Sequence, residues 1–494
     1  MFTARSQRRL VAVVIACLGA FPAAPSVVGA ADAFTQRGYY ITLMRMPVMG
    51  LPEWKQSVDC FAEDDINTLI LWTAGGFRSK KFPITWKYNA DHANIQHDFV
   101  RDLIDYAHTK HIRVLLGFTP FGYDGTNQYP LEHPELKAKK PDGTSVDPFG
   151  IHSIGWNLCP ARPESQRFMR EYVEEMYFDF YPNVDGLLIE SSDYAICHCP
   201  ECGPHFYDHE FDFVRAISDE VWQKKPDATI LVFPHYFTGA RVPGLDATAA
   251  KRPFDPRWGL SFAPHSAPFD EELIQRAKVT VAWSDATALH TPHEVAAAAR
   301  TARDHHATGF IPSLEAFSYI PTQPEAGEPR VVGKRHAPCG FDATAEGKMP
   351  YNLLPERVQR FAYRCFSQDP DLSDADFKHR VAKQFFASEQ AEQLAADLLD
   401  LQRIWSTDSD WYWPSPLLDP ALFIERAQRV SWPKEKLADY DRQLASLRRI
   451  ASHDAHSNSA LAKDVSALAN LVVQRWDKSS TTPSHVAAPL EATQ

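Results

Sequence analysis

The sequence predicts an α/β fold, a (β/α)8 TIM barrel followed by an all-helical C-terminal domain, and three observations carry that expectation. Short β-branched or aliphatic runs alternate with amphipathic helical patterns from Gly38 onward, the signature of repeated βα units and a parallel sheet. Eight such runs precede residue 320, the number that closes a barrel. No glycine-rich fingerprint follows the first of them, which argues against a doubly wound dinucleotide fold.

The elements follow in chain order. Arg5, Arg8 and Arg9 form a basic region, residues 10–20 an apolar run, and Val28-Gly29-Ala30 a small-residue cleavage site. Residues 1–30 are therefore expected to be a signal peptide, with the mature chain periplasmic or secreted. Val14-Ile15-Ala16-Cys17 leaves lipoprotein anchoring open, and Arg8-Arg9 a twin-arginine route. No later stretch reaches the roughly eighteen apolar residues of a membrane span.

The barrel is expected over residues 31–350. Its strands fall at 39–44, 68–72, 113–118, 186–189, 229–233, 260–263, 279–283 and 309–314. Its helices fall at 52–63, 98–110, 164–180, 206–224, 269–276 and 292–305. In 98–110, Phe99, Leu103, Ile104 and Ala107 recur at three- and four-residue spacing while Arg101, Asp105 and His108 take the other face, as in a helix laid on a sheet. Long insertions follow strand 3 (120–163), strand 5 (234–258) and strand 8 (318–350). Loops after the strands of a barrel share one face, so that face is the expected functional rim.

From about residue 352 helical patterns take over, at 355–366, 374–405, 420–429, 434–450 and 460–476. They define an expected C-terminal domain over 351–477. Ser373 followed by Asp376 has the form of a capped helix start. Residues 478–494, rich in Ser, Thr, Pro and Ala, are expected to be a disordered tail.

Charge narrows the function classes. The net charge of -12 leaves no electrostatic footprint for nucleic acid, which demands clustered Lys and Arg. Neutral or weakly charged partners fit better.

The stretch 184–203, VDGLLIESSDYAICHCPECG, concentrates the candidate chemistry. Glu190 ends the buried run of strand 4, where barrel enzymes present acids to substrates. Partial desolvation there suits a proton donor. Hydrolysis of a glycosidic bond needs a second carboxylate across the cleft. Asp285, after strand 7, and Glu315, after strand 8, both stand at strand ends. Asp193 is close enough in sequence to orient Glu190 or a substrate hydroxyl, although a turn cap is an equal reading.

Aromatic residues gather at the same ends: Trp72, Phe118, Phe121, Tyr123, Trp156, Tyr194, Tyr236, Trp283 and Phe317. With Arg45, Asn157, His235 and His265 between them, they suit a sugar, whose ring faces are apolar and edges polar. Core packing is the ordinary role of any one of them, and only their shared placement raises the binding reading.

Seven of the eight cysteines follow the signal segment, so in an oxidising compartment at least one thiol or a metal site must be explained. Cys197-x-Cys199-x-x-Cys202 lies after strand 4 and Cys159 after strand 3, on loops the fold brings together. Four sulfurs there make either a tetrahedral zinc site, with His198 or His205 as a spare ligand, or two disulfides. A structural role is expected in either case. Cys60, Cys339 and Cys365 have no evident partner.

At Asn157-Leu158-Cys159-Pro160, across residues 185–193 and at Cys197 to Cys202, the chain resembles bacterial glycoside-hydrolase-like barrels of the alpha-glucuronidase and beta-hexosaminidase group. Phe366-Ser367-Gln368-Asp369-Pro370 extends the resemblance towards residue 475. It implies a strand 4 glutamate as general acid, here Glu190, with Asp285 or Glu315 as partner. The chain departs from the hexosaminidase pattern at Ile189, where that group has an Asp before the Glu, so assistance by a substrate N-acetyl group is not implied.

The expectation is thus an exported glycoside hydrolase of oligo- or polysaccharides that requires no cofactor for catalysis. One rival is a non-catalytic carbohydrate-binding barrel. The other is a zinc-dependent hydrolase built on the Cys/His cluster.

Overall fold

Eight parallel strands close on themselves in sequence order, with β8 pairing back onto β1. The computed structural model describes residues 34–46, 49–149, 153–190, 196–233, 253–262, 277, 279–282, 291–314, 354–386, 388–408, 442, 445–452, 470 and 473–474. The strands are β1 (Gln36–Ile41), β2 (Thr68–Trp72), β3 (Arg113–Phe118), β4 (Gly186–Ile189), β5 (Thr229–Val232), β6 (Gly259–Phe262), β7 (Val279–Ala282) and β8 (Gly309–Phe310). The expected TIM-type barrel is therefore present.

Two strands differ from expectation by more than one residue at an end. β1 lies three residues earlier than 39–44, because Leu43 and Met44 belong to a buried 3-10 turn, Leu43–Arg45. An apolar run alone does not separate a buried turn from a strand. β8 pairs regularly for only two residues, since Pro312 has no N–H for a ladder. Contact resumes beyond it, where Tyr40 N donates to Pro312 O at 3.0 Å and Leu314 N to Tyr40 O at 2.8 Å.

The helices are α1 (Leu51–Glu63), α2 (Ile84–Lys87), α3 (Ala93–His97), α4 (Val100–Thr109), α5 (Pro163–Glu174), α6 (Phe206–Lys224), α7 (Pro292–Asp304), α8 (Leu354–Gln368), α9 (Asp374–Phe385) and α10 (Ala391–Asp408). α4 starts later than residue 98 because Asp98 sits in the left-handed region at φ 44° and ends α3. Asn94 Oδ1 then accepts from the N–H groups of Phe99 and Val100 at 2.9 and 3.0 Å, satisfying donors at the start of α4. The segment expected as one helix over 164–180 becomes a π-helical turn at Glu175–Phe180. There the buried Glu175 accepts from Ser79 Oγ at 2.6 Å and Lys80 N at 2.8 Å, tying down the loop after β2. The segment 374–405 is two helices rather than one, broken between Phe385 and Ala391; its predicted cap holds, with Asp376 N donating to Ser373 Oγ at 3.1 Å.

Residues 269–276, 420–429 and the N- and C-terminal segments lie outside the described residues, as does most of 434–450 and 460–476. Among the described residues no helix is long and apolar enough to cross a membrane.

Strand register decides which side chains face the barrel interior. Tyr39 meets Phe61 of α1 and Tyr363 of α8, and Phe118 meets Phe213 of α6. That alternate set points outward to the helices. Residues paired across parallel strands share a face, so Tyr40 with Ile70, Leu115 and Gly186, and Trp72 with Gly117 and Leu188, form the inward set. α8 completes the outer layer: Tyr363 also packs on Phe310 at 6.3 Å, and Arg360 pairs with Asp64.

Candidate active site and cysteine cluster

Glu190 follows β4 directly, two residues beyond the inward-facing Leu188. Its backbone N–H donates to Phe118 O at 3.0 Å, which carries the β3–β4 ladder one step past the strand. Alternation therefore turns the Glu190 side chain to the same face as Leu188 and Trp72. The carboxyl is half-buried, and Thr119 Oγ1 donates to its Oε2 at 3.3 Å.

The inner wall beside this position is aromatic. Trp72 is buried between Tyr40 and Tyr123, with ring centroids at 6.3 and 5.7 Å. Gly117 opposite it leaves room for the indole: a Cβ there would already stand 3.6 Å from Trp72 Cε3. Among the described residues the Trp72 Nε1–H has no hydrogen-bond acceptor.

The long loop after β3 is ordered by buried polar groups. Asn127 Nδ2 donates to Ser153 O at 2.9 Å, Ser153 Oγ donates to Asn127 Oδ1 at 3.0 Å, and Gln128 Nε2 donates to Ile154 O at 3.1 Å. Phe121 and Tyr123 hold positive φ, 60° and 74°, a conformation that costs bulky residues roughly 1–3 kcal/mol and needs surrounding structure to enforce it. Leu158 N donates to Phe121 O at 2.7 Å and Asn127 N to Tyr123 O at 3.0 Å, which supplies that enforcement. The same loop crosses the loop after β2 at Gly125 and Gly75, with φ of 90° and 73°. A Cβ on Gly125 would lie 2.5 Å from Gly75 Cα, so only two glycines allow the crossing.

The other expected residues divide by position. Phe118 and Phe121 pack on Phe213 in the outer layer rather than at a sugar-facing rim. Trp156 stands under Lys137, whose Nζ is 3.4 Å from its ring centroid, and packs against the cysteines. Asn157 is buried, and its carbonyl accepts from Ala138 N at 2.8 Å. Arg45 ends the 3-10 turn after β1, its side chain outside the description. Asp193, Tyr194, His235, Tyr236, His265, Trp283, Asp285, Glu315 and Phe317 lie outside the described residues.

Cys159, Cys197, Cys199 and Cys202 come together as the loop assignment expected. All four are buried, none is bridged, and their sulfurs lie within 4.8 Å of one another. Cys159 Sγ is 3.6 Å from Cys199 Sγ and 3.5 Å from Cys202 Sγ. Backbone N–H groups point at the sulfurs: Lys139 N donates to Cys197 Sγ at 3.3 Å and Cys202 N to Cys199 Sγ at 3.3 Å. Ile196, Phe206, Tyr207, Val146 and Ala138 enclose them. Hydrogen bonds from the Cys159 and Cys202 thiols and from backbone amides hold the Cys197 thiol down at about 2. The Cys159 thiol, which shares its proton with that thiolate, is pushed up to about 12, and Cys202 is raised for the same reason. One ionised sulfur thus suppresses ionisation of Cys159 and Cys202.

Sequence reasoning missed Thr119, the strained Phe121 and Tyr123 backbone, and the Asn127–Ser153 network. None has a local signal, because each depends on a partner from another segment.

No protein-family model matches the chain, and no curated protein matches it by sequence. Among solved structures, a GH138 enzyme targeting pectin rhamnogalacturonan II is similar with a TM-score of 0.51 and 12% identity, over 90% of this chain and 57% of that one. This chain accordingly spans less than two thirds of that enzyme's length. A beta-N-acetylhexosaminidase from Bacteroides fragilis gives a TM-score of 0.44 at 11% identity, over 71% of this chain and 70% of that one. The exo-beta-N-acetylglucosaminidase of Vibrio harveyi, a GH20 enzyme, gives 0.43 at 13% identity, over 74% of this chain and 58% of that one. At such identities the first likeness shows a shared fold, the barrel already described, and the other two scores are too low to add to it.

Proposed function

We propose that this chain is an exported glycoside hydrolase acting on an oligo- or polysaccharide, with Glu190 as the proton donor. The observation that carries the reading is the position of Glu190: a half-buried carboxyl on the inward face at the carboxyl end of β4. That end is where barrel enzymes keep their chemistry. The buried aromatic wall of Tyr40, Trp72 and Tyr123 supports it, since an apolar surface with a spare indole donor suits a sugar ring and one of its hydroxyls.

In this reading Glu190 protonates the glycosidic oxygen as the bond to the anomeric carbon breaks, and Thr119 holds the carboxyl in its orientation. The partner is Glu315 or Asp285, each following a barrel strand in sequence. A spacing of about 5–5.5 Å from Glu190 makes the partner a nucleophile and retains configuration, whereas about 6.5–9.5 Å leaves room for water and inverts it. The chemistry requires no cofactor.

A panel of chromogenic glycosides and uronides tests the proposal. On any substrate the wild type cleaves, Glu190→Gln should lower kcat by about 10²–10⁴-fold, least where the leaving group needs no proton. Sugar binding should survive. A Glu190→Gln variant with full activity on a poor leaving group would sink the assignment.

A further inference from the structure

We propose that Cys159, Cys197, Cys199 and Cys202 hold a structural zinc ion in a closed tetrathiolate centre, which staples the loop after β4 to the loop after β3.

Geometry is the first support. Zinc binds thiolate at about 2.3 Å in a tetrahedron, so neighbouring sulfurs stand about 3.8 Å apart. Two of the contacts here, from Cys159 to Cys202 and Cys199, are 3.5 and 3.6 Å, and all four sulfurs lie within 4.8 Å of one another. Cys159 is nearly equidistant from two sulfurs, yet a disulfide can use only one of them. Two near-equal contacts from one sulfur, with the fourth sulfur inside the same 4.8 Å, fit a single shared ion better than a pairwise bridge.

The surroundings supply the second support. Ligating sulfurs need their remaining lone pairs oriented, and the amides of Lys139 and Cys202 donate to Cys197 and Cys199 as outer partners of a metal centre do. Four thiolates in a buried space repel one another, and a divalent cation removes half of that charge. The zinc complex retains a charge of about -2, and Lys137, Lys139 and Lys140 lie consecutively or nearly so on the strand-like segment that contributes the Lys139 amide. Binding displaces the thiol protons to solvent, so no other reactant is needed.

The ligand set also fixes the role. Four protein ligands complete the zinc shell and leave no position for water, so the ion does not hydrolyse anything. It bridges two loops: Cys159 belongs to the loop after β3 that carries Phe121 and Tyr123, and Cys197 follows Glu190 by seven residues. The choice of zinc over iron, which accepts the same four sulfurs, rests on the hydrolase reading, because hydrolysis needs no electron carrier.

Metal analysis of the full chain, purified without chelator, tests the proposal. One zinc per chain is expected, retained in Glu190→Gln and Cys60→Ser and lost in Cys199→Ser. Zinc content is measured without substrate, so it stands even if no glycoside is cleaved. Should Cys199→Ser fail to fold, cobalt exchange into the wild type gives an independent readout: tetrahedral d–d bands with thiolate charge transfer, unchanged by added cyanide. An intact mass lowered by the hydrogens of two disulfides overturns the proposal. So does iron in place of zinc, or a cobalt spectrum that cyanide alters.

Discussion

Replacing Arg360 with methionine tests whether α8 belongs to the barrel's cooperative unit. Arg360 Nε and Nη2 donate to the two oxygens of Asp64 at 2.6 and 3.0 Å, and Nη2 also donates to Cys60 O at 2.8 Å. The two side chains are 6% and 9% exposed. Burial opposes the guanidinium charge, but Coulombic attraction to Asp64 and the hydrogen bonds to it prevail, and the arginine pKa rises. Methionine keeps most of the apolar stem while leaving the Asp64 carboxylate with Tyr39 Oη, at 3.0 Å, as its remaining side-chain donor. Breaking a buried pair from one side costs about 3–5 kcal/mol, because the stranded charge stays desolvated. For a cooperative unit of this size that corresponds to a fall in Tm of about 3–5 °C. The double variant Asp64→Leu with Arg360→Met should recover most of the loss, since no charge is stranded. Urea unfolding followed by circular dichroism and tryptophan fluorescence provides the measurement. A single variant within about 1 kcal/mol of wild type, or two separate transitions in the wild type, would refute the reasoning.

Gly125→Ala should destabilise by about 2–4 kcal/mol, combining left-handed strain with a clash against backbone, and should reduce any glycosidase turnover by parting the loops after β2 and β3. Gly143→Ala is the control: its φ is 83° but nothing lies within 4 Å of the added carbon, so about 1 kcal/mol is expected in a thermal melt. Equal losses would contradict the crossing geometry. Burial pushes the Cys365 thiol up to about 11. A folded pKa above the unfolded value gives stability fully present below about pH 8.5 and lost as pH rises, here towards about 11, with at most about 3 kcal/mol at stake. Cys365→Ala should therefore show a flatter stability profile than wild type across that window, and parallel profiles would count against it.

The barrel was legible because its signals are local. Apolar runs at 68–72, 113–118 and 186–189 are bounded by polar or turn residues and match β2, β3 and β4 at both ends. Where the apolar run continued past the strand, as at Leu43 and Met44, the boundary slipped, because burial in a turn and burial in a sheet select the same side chains. The cap at Ser373 was readable from three residues, but the capping of α4 by Asn94 was not, since that asparagine belongs to the preceding short helix. Glu190 was found from its place after a buried strand; Thr119, its hydrogen-bond partner, carries no signal until β3 and β4 pair.

By itself the sequence determined which segments form the eight strands and the main helices, though not all of their boundaries, and which loops carry Glu190 and the cysteines. Those properties depend on side-chain periodicity over a few residues and on turn-forming punctuation. Only the tertiary structure decided which strand face is the inside, because barrel closure and register assign one alternate set to the interior. It likewise brought the sulfur of Cys159 to 3.5 Å from that of Cys202 and Arg360 to 2.6 Å from Asp64. Such contacts join segments far apart in the chain, and their distances follow from how the whole barrel packs.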